Sequence, residues 1–484
     1  MAYRHGVYTT EVPTSVSPPV EASSGLPVVV GPAPIHLAEN QGYVSKPALV
    51  FPFEEAVRML GFSRDWKSFT LCEFMKSHFQ LFAVAPVVFI NVLDPSKHKT
   101  SVTAESVTLD SGGQATLQQK GVLLSTVVVK SSDGQTTYQR DVDYTLAFDD
   151  EERAVITRLP SGNIPAGATL SVDYDHLNPS AVTANDIIGG VDGTTGKVTG
   201  LELVNQVFPL FRLVPGQILA PGWSHNPTVA AVMTVKASNI NGVFKAMAIT
   251  DVDDSEADLY TKVPSWKNDK NYTSAYQVVC WPKVQLGDEV YHLSTQFAGV
   301  TCRTDSENDD IPFVSPSNKS LQANGAVIEG GEEVSLGPDQ AAYLNGEGVV
   351  TALNFIGGWK LWGNRTGAYP ASTDVKDTFI PVRRMFNWVS NTIILTFWQN
   401  VDDPTNRRLI DTVVDSLNIW LNGLTARGAL LGGQVEFRAA DNPETDLLSG
   451  VVRFHVRLTP PVPAEALEFK LEFDVNNLSA LFAA

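Results

Sequence analysis

The spacing of apolar residues changes period several times along the chain. At 467–475, Leu467, Phe469, Leu471, Phe473 and Val475 alternate without a miss with Glu468, Lys470, Glu472 and Asp474. Such period-two alternation predicts a half-buried β-strand. Ahead of it, Thr459-Pro460-Pro461-Val462-Pro463-Ala464-Glu465-Ala466 is held extended by its prolines, at about 3.1 Å per residue. A tight hairpin needs only about two to five loop residues. The strand therefore pairs either away from its neighbour, on another subunit, or with its own sheet through a long connection.

Earlier segments read differently. Residues 1–25 form an extended arm: Gly6-Val7-Tyr8-Thr9-Thr10-Glu11-Val12 has strand composition, Pro13, Pro18 and Pro19 break up the rest, and the small residues to Gly25 add no core. Over 26–98, Val28–Gly31 predicts a buried strand and Phe53–Leu60 a helix stopped by Gly61. Leu71, Phe74, Met75, His78, Phe79 and Phe82 mark a helix face, and Val87–Leu93 a strand covered on both sides. His78, on that stripe, is read as a satisfied core histidine. Residues 99–179 break the pattern with short β-runs at Val122–Leu124, Thr126–Lys130, Tyr144–Phe148, Ala154–Arg158 and Thr169–Tyr174, punctuated by Gly and Asp turns. They predict an all-β domain inserted into an α/β region. Over 183–305 the α/β alternation returns, with a helix opened by Asn226-Pro227, strands near Val243–Thr250 and Gln277–Trp281, and a helix over His292–Thr304. Residues 306–375 read as surface loops around a few strands. From 376, two apolar helix faces (Val382 to Phe397; Leu409 to Leu424, opened by Asp403-Pro404) and strands at Gln434–Arg438 and Val451–Leu458 predict an α+β module.

The fold class is thus α+β / α/β multidomain, with a mixed sheet flanked by helices. The expected units are an arm (1–25), a discontinuous central α/β domain (26–98 and 180–375), an inserted all-β domain (99–179), a C-terminal α+β module (376–460), and a linker with its strand (461–484).

Composition narrows the function. A net charge of −18 over 484 residues argues against non-specific nucleic-acid binding. Acidic and basic residues balance over 376–460, so this Arg-containing module suits an acidic protein partner. Cys72, Cys280 and Cys302 have no metal-ligand spacing and no disulfide pattern. The absence of a signal peptide and of a long apolar run predicts a soluble chain made in a cytoplasm, with no membrane span. The acidic run Asp251 to Asp258 lacks the glycine and glutamate of a calcium loop and reads as a solvated loop. Ser224-His225 sits in no GxSxG elbow. Asn271-Tyr272-Thr273 and Asn318-Lys319-Ser320 match the glycosylation triplet but carry no meaning without secretion. Trp359 to Thr366 is either a binding platform or a packed loop. No cofactor, metal or catalytic set is expected.

Several segments, taken in order, resemble the tail sheath proteins of contractile-tailed bacteriophages and related bacteriocins. These are Gly6-Val7-Tyr8 with Glu11-Val12-Pro13, Leu219-Ala220-Pro221-Gly222-Trp223-Ser224, Trp362-Gly363-Asn364-Arg365-Thr366, Phe379-Ile380-Pro381-Val382-Arg383-Arg384, and the alternating tail. The resemblance implies a non-enzymatic homo-oligomer stacked as hexameric rings around a tail tube, assembled in the host cytoplasm and carried on the virion tail. Its other partners would be the tube protein and the baseplate and tail terminator proteins. Both terminal arms would add strands to sheets of neighbouring subunits. The 376–460 module would face the tube, with Arg407, Arg408 and Arg427 as candidate contacts. Two alternatives have other signatures: a surface adhesin displaying the β-insertion, or a serine hydrolase using Ser224.

Overall fold

The computed structural model describes residues 19–39 and 41–482. The N-terminal arm residues Gly6, Val7, Tyr8, Glu11 and Val12 lie outside the described residues.

The central sheet has six strands: β1 (Pro27–Gly31), β2 (Pro47–Val50), β3 (Val87–Asn91), β4 (Gln217–Leu219), β5 (Met247–Asp251) and β6 (Gln277–Cys280), in the order β6-β5-β4-β1-β3-β2. All neighbours are parallel except β2, which runs antiparallel to β3 at the edge. The apolar runs are continuous because both faces are covered. Alternate side chains separate into two layers. Val28, Val30, Val88, Ile90, Ile218 and Ala248 enter one core, and Val29, Val87, Phe89, Leu219, Met247 and Ile249 enter the other.

Helices cover the two faces. α1 (Thr70–Met75) runs into a π-helical turn at Lys76–Leu81, which carries the predicted His78 stripe. His78 is buried but not satisfied: neither ring nitrogen has a hydrogen-bond partner among the described residues, and burial pushes its pKa down to about 3. It is a neutral apolar filler stacked on Phe74. α2 (Pro227–Ser238) starts as expected, with the Asn226 side chain accepting from the Thr228 and Val229 amides. α3 spans Leu293–Ser306, α4 Ile380–Phe397 and α5 Arg407–Ala426. Met385, Trp388 and Val389 of α4, with Val413, Leu417 and Trp420 of α5, belong to the same core as Val28 and Ile218. The C-terminal helices are therefore packed onto one face of the central sheet.

α5 begins later than Asp403-Pro404 predicts. Asp402 adopts a left-handed backbone (φ 71°), and the Asn406 side chain caps the helix by accepting from the Leu409 amide at 3.0 Å. After α5 come β7 (Gly432–Glu436) and β8 (His455–Thr459), an antiparallel pair. β8 is shorter than the predicted Val451–Leu458. The Asn442 amide bonds both the N–H and the C=O of Arg453, at 2.7 and 2.8 Å, and stands in for a strand partner there.

Residues 99–177 make two three-stranded antiparallel sheets. One is centred on Thr169–Leu177, between Lys99–Thr108 and Val128–Ser131. The other is centred on Arg153–Arg158, between Gln114–Lys120 and Tyr144–Phe148. Leu117, Val129, Tyr144, Ile156, Leu170 and Val172 fill a core of their own between them. Val122–Leu124 is not a strand: Val122 makes a single bridge to His176, and Leu124–Thr126 is a 3-10 turn.

Candidate assembly interface

The closing segment is extended but has no strand partner among the described residues. Leu467 is 74% exposed, Phe469 84%, Leu471 97% and Phe473 78%, with Val475 also exposed. Residues 467–474 belong to no sheet, and Val475 opens a 3-10 segment, Val475–Phe482. Among the described residues β7 and β8 pair with each other and with no third strand. The outer edge of β7 is capped by Asn418 of α5, which accepts from the Val435 amide at 2.8 Å and donates to the Val435 carbonyl at 3.0 Å, whereas the outer edge of β8 keeps its N–H and C=O groups open among the described residues, the template on which another strand adds. The sheet lies on α5. A Cβ on Gly433 would stand 3.1 Å from Leu421 Cβ, so a larger residue there would push β7 and Leu421 apart by a few tenths of an ångström.

The root of the N-terminal arm is fixed. Thr396 and Thr392 hydroxyls on α4 accept from the amides of Val20 and Ala22, at 3.0 and 3.1 Å. Trp388 Nε1 donates to the Ala22 carbonyl at 2.8 Å, and Trp420 Nε1 donates to Glu21 at 3.1 Å. Arg384 makes a buried pair with Asp305 and also donates to the Ser24 carbonyl at 3.3 Å. Ala22 is buried in the core, contrary to the expectation that the small residues to Gly25 add nothing to it, and Leu26 is buried beside it. Chain chemistry alone does not reveal this strap, because most of its hydrogen bonds use the arm's backbone.

The three candidate tube contacts are not brought together. Arg407 and Arg408 are exposed in the first turn of α5, where Arg407 Nε is 2.9 Å from Asp411. Arg427 comes just after the last turn, 3.6 Å from Glu21. A helix of 20 residues separates its ends by about 30 Å. Arg407 with Arg408 is one place, and Arg427 is another.

A cavity of about 370 Å³ opens at the carboxyl ends of β4, β5 and β6, where open α/β sheets hold ligands. Its chemistry is spent internally. The Gly222 turn (φ 75°) presents Ser224, whose Oγ donates to Asp251 Oδ2 at 3.0 Å. Ser294 donates to the same carboxylate through both its amide and its hydroxyl. Ser224 is fully buried. Asp251 and Asp254 are buried as well, which corrects the reading of a solvated loop; Asp254 pairs with Lys283 at 3.0 Å. No group of residues that could hold a metal occurs among the described residues. Glu73 on α1 accepts from the His292 amide and pairs with its ring at 2.7 Å, tying α1 to the start of α3. Burial alone would lower the His292 pKa, but the charge and hydrogen bond of Glu73 prevail and raise it to about 9.

Trp362 to Thr366 is a packed staple, not an open platform. The Gly363 backbone (φ 138°) passes under Asn345. Thr366 Oγ1 donates to the Asp377 carbonyl at 2.6 Å, and the Thr366 amide to the Thr378 carbonyl at 2.9 Å, just ahead of α4.

No family model matches the chain. It is 29% identical to the tail sheath protein of Burkholderia phage BcepMu, over 99% of this chain and 98% of that protein. It is 28% identical to a putative prophage major tail sheath protein of Pseudomonas aeruginosa strain UCBPP-PA14, over 63% of this chain and 76% of the other. Its fold matches the anti-feeding prophage helical sheath in the contracted state, with TM-score 0.57 and 14% identity, covering 97% of this chain and 99% of that one. The fold is thus that of a contractile sheath subunit. In sequence the chain is similar to phage tail sheath proteins. Among the described residues no helix is long and apolar enough to cross a membrane.

Proposed function

We propose that this chain polymerises as stacked hexameric rings around a tail tube and contracts to drive the tube through a bacterial envelope. The observation that carries the reading is the unpaired arm 467–475 on a chain whose β7–β8 sheet has an open edge at β8. Strand addition between subunits satisfies both at once: main-chain hydrogen bonds join the chains, and the apolar row is covered. Burying one Leu or Phe side chain is worth about 1.5–3 kcal/mol, so the row supplies enough to hold neighbours together. Its strict alternation fixes register, because a one-residue slip would turn every apolar side chain outward. The N-terminal arm joins the same network from its root on α4.

Such links tolerate rotation of the subunit bodies. Contraction is then a switch between two lattices, from a metastable extended one to a more stable compact one. The 376–460 module faces the tube, and Arg407 with Arg408 forms the candidate contact. Exposed ion pairs contribute about 0–1 kcal/mol each, which lets the tube slide free. The 99–179 insertion faces outward. Baseplate and tail terminator proteins meet the two ends of the stack, and assembly takes place in the host cytoplasm before the tail joins the virion.

Deletion of 464–484 tests the assembly step. The subunit is expected to remain folded by circular dichroism and to form no tubes in electron micrographs. Tubes of normal length from the deleted chain contradict the reading.

A further inference from the structure

The proline linker is pinned at both ends. Pro460 is buried where β8 ends, and the Leu431 amide donates to the Thr459 carbonyl at 2.8 Å. Five residues on, Glu465 meets Arg365. Arg365 Nε donates to Oε1 at 3.1 Å and Nη2 to Oε2 at 2.5 Å, a bidentate fork. This geometry is specific to a guanidinium facing a carboxylate. The guanidinium is itself held in place, 3.7 Å from the Phe379 ring centre and 4.4 Å from that of Tyr369. Those cation–π contacts fix its plane before Glu465 arrives. Nη1 also reaches Thr378 Oγ1 at 3.5 Å. Pro463, Ala464 and Glu465 lie against a groove walled by Val314, Ser317 and Trp362.

We propose that Arg365 is a positioning residue that clasps Glu465 and sets the point at which the C-terminal arm leaves its own subunit. The inference rests on the reading that 467–475 pairs with a neighbour. Without the clasp, the leash between β8 and the arm is 460–466. With it, the free pivot shrinks to Ala466. The arm then starts beside the Trp362–Thr366 staple, at the far end of the linker from β8. Five extended residues of about 3.1 Å each hold that separation at roughly 15 Å. Pairing within the chain is disfavoured, and pairing between chains starts from a fixed origin.

The test uses the full chain with nitroxide labels at Ala466→Cys and Lys319→Cys in a Cys302→Ser background, read by pulsed electron spin resonance on unassembled subunits. A single narrow distance distribution is expected. Arg365→Ala and Arg365→Lys should broaden it at least twofold, and the exchange Arg365→Glu with Glu465→Arg should restore it at least in part. A distribution equally narrow in Arg365→Ala overturns the clasp. The unlabelled variants are then assembled. Arg365→Ala is expected to shorten mean tube length at least threefold, with recovery in the exchange variant. Broadened distances with tubes of normal length overturn the positioning role. A clasp that is present in subunits forming no tubes under any condition leaves the clasp standing and removes the sheath reading on which its role depends.

Discussion

At the scale of single residues, the chemistry that looks functional works inside the subunit. The Glu73–His292 pair crosses from α1 to α3 in a cavity that in another protein could hold a substrate. Its contribution has a defined pH dependence. The folded-state pKa of His292, about 9, lies above the unfolded value of about 6.5. The pair's stabilisation is therefore fully present below about pH 6.5 and is lost as pH rises through about 9. Glu73→Gln should cost about 2–4 kcal/mol near pH 7 and flatten the fall in stability between pH 7 and 9.5. Urea unfolding at several pH values reads both effects. A second residue-scale expectation concerns Gly433. The added methyl of Gly433→Ala would press on Leu421 at 3.1–3.2 Å and should cost about 1–3 kcal/mol. A change below 0.5 kcal/mol in the same assay would show that β7 can lift off α5 freely.

At the scale of elements, the central sheet was legible because continuous apolar runs between turn signals have few readings. β1, β3 and the Asn226-capped α2 come directly from residue order. Lys99–Thr108 was not legible, and the reason is a bulge. Val102 and Val107 are five apart, which in a regular strand puts them on opposite faces. One extra residue between Val102 and Glu105, with Ala104 at φ 54°, returns both to the same core. Sequence period cannot show an insertion that the partner strand defines. The start of α5 was misplaced for a related reason: two cap signals compete over 403–406, and only the backbone turn at Asp402 decides between them. The arm row was read in full from alternation, whereas the strap at Val20 to Leu26 was invisible, since its contacts run through main-chain groups and two tryptophans of α4 and α5. Because the arm's side chains are exposed within the subunit, Phe469→Glu with Phe473→Glu should change subunit stability by less than about 0.5 kcal/mol. The same double variant should abolish tubes in electron micrographs. A large loss of thermal stability would mean the row is already buried against its own chain.

At the scale of the whole molecule, the subunit divides labour between a rigid body and loose ends. The body is continuous: one core runs from β1 and β4 through α4 to α5. The insertion has a separate core but is also seated on that body: Leu123 and Leu177 enter the body's core, Phe148 meets His36 edge-on at 5.6 Å, and Ser63 donates to Glu152 at 2.8 Å. The C-terminal arm emerges from the body with its apolar row uncovered. A lattice built from such parts can rearrange while its strand-to-strand links persist, which a contractile sheath requires. The most direct measurement is a cryo-electron microscopy map of the assembled protein that traces residues 460–475. The account predicts that 467–475 forms a strand on the open edge of β8 in an adjacent subunit, with Leu467, Phe469, Leu471 and Phe473 covered. A map in which 467–475 pairs with its own β7–β8 sheet, or remains unpaired between subunits held by other contacts, would contradict it.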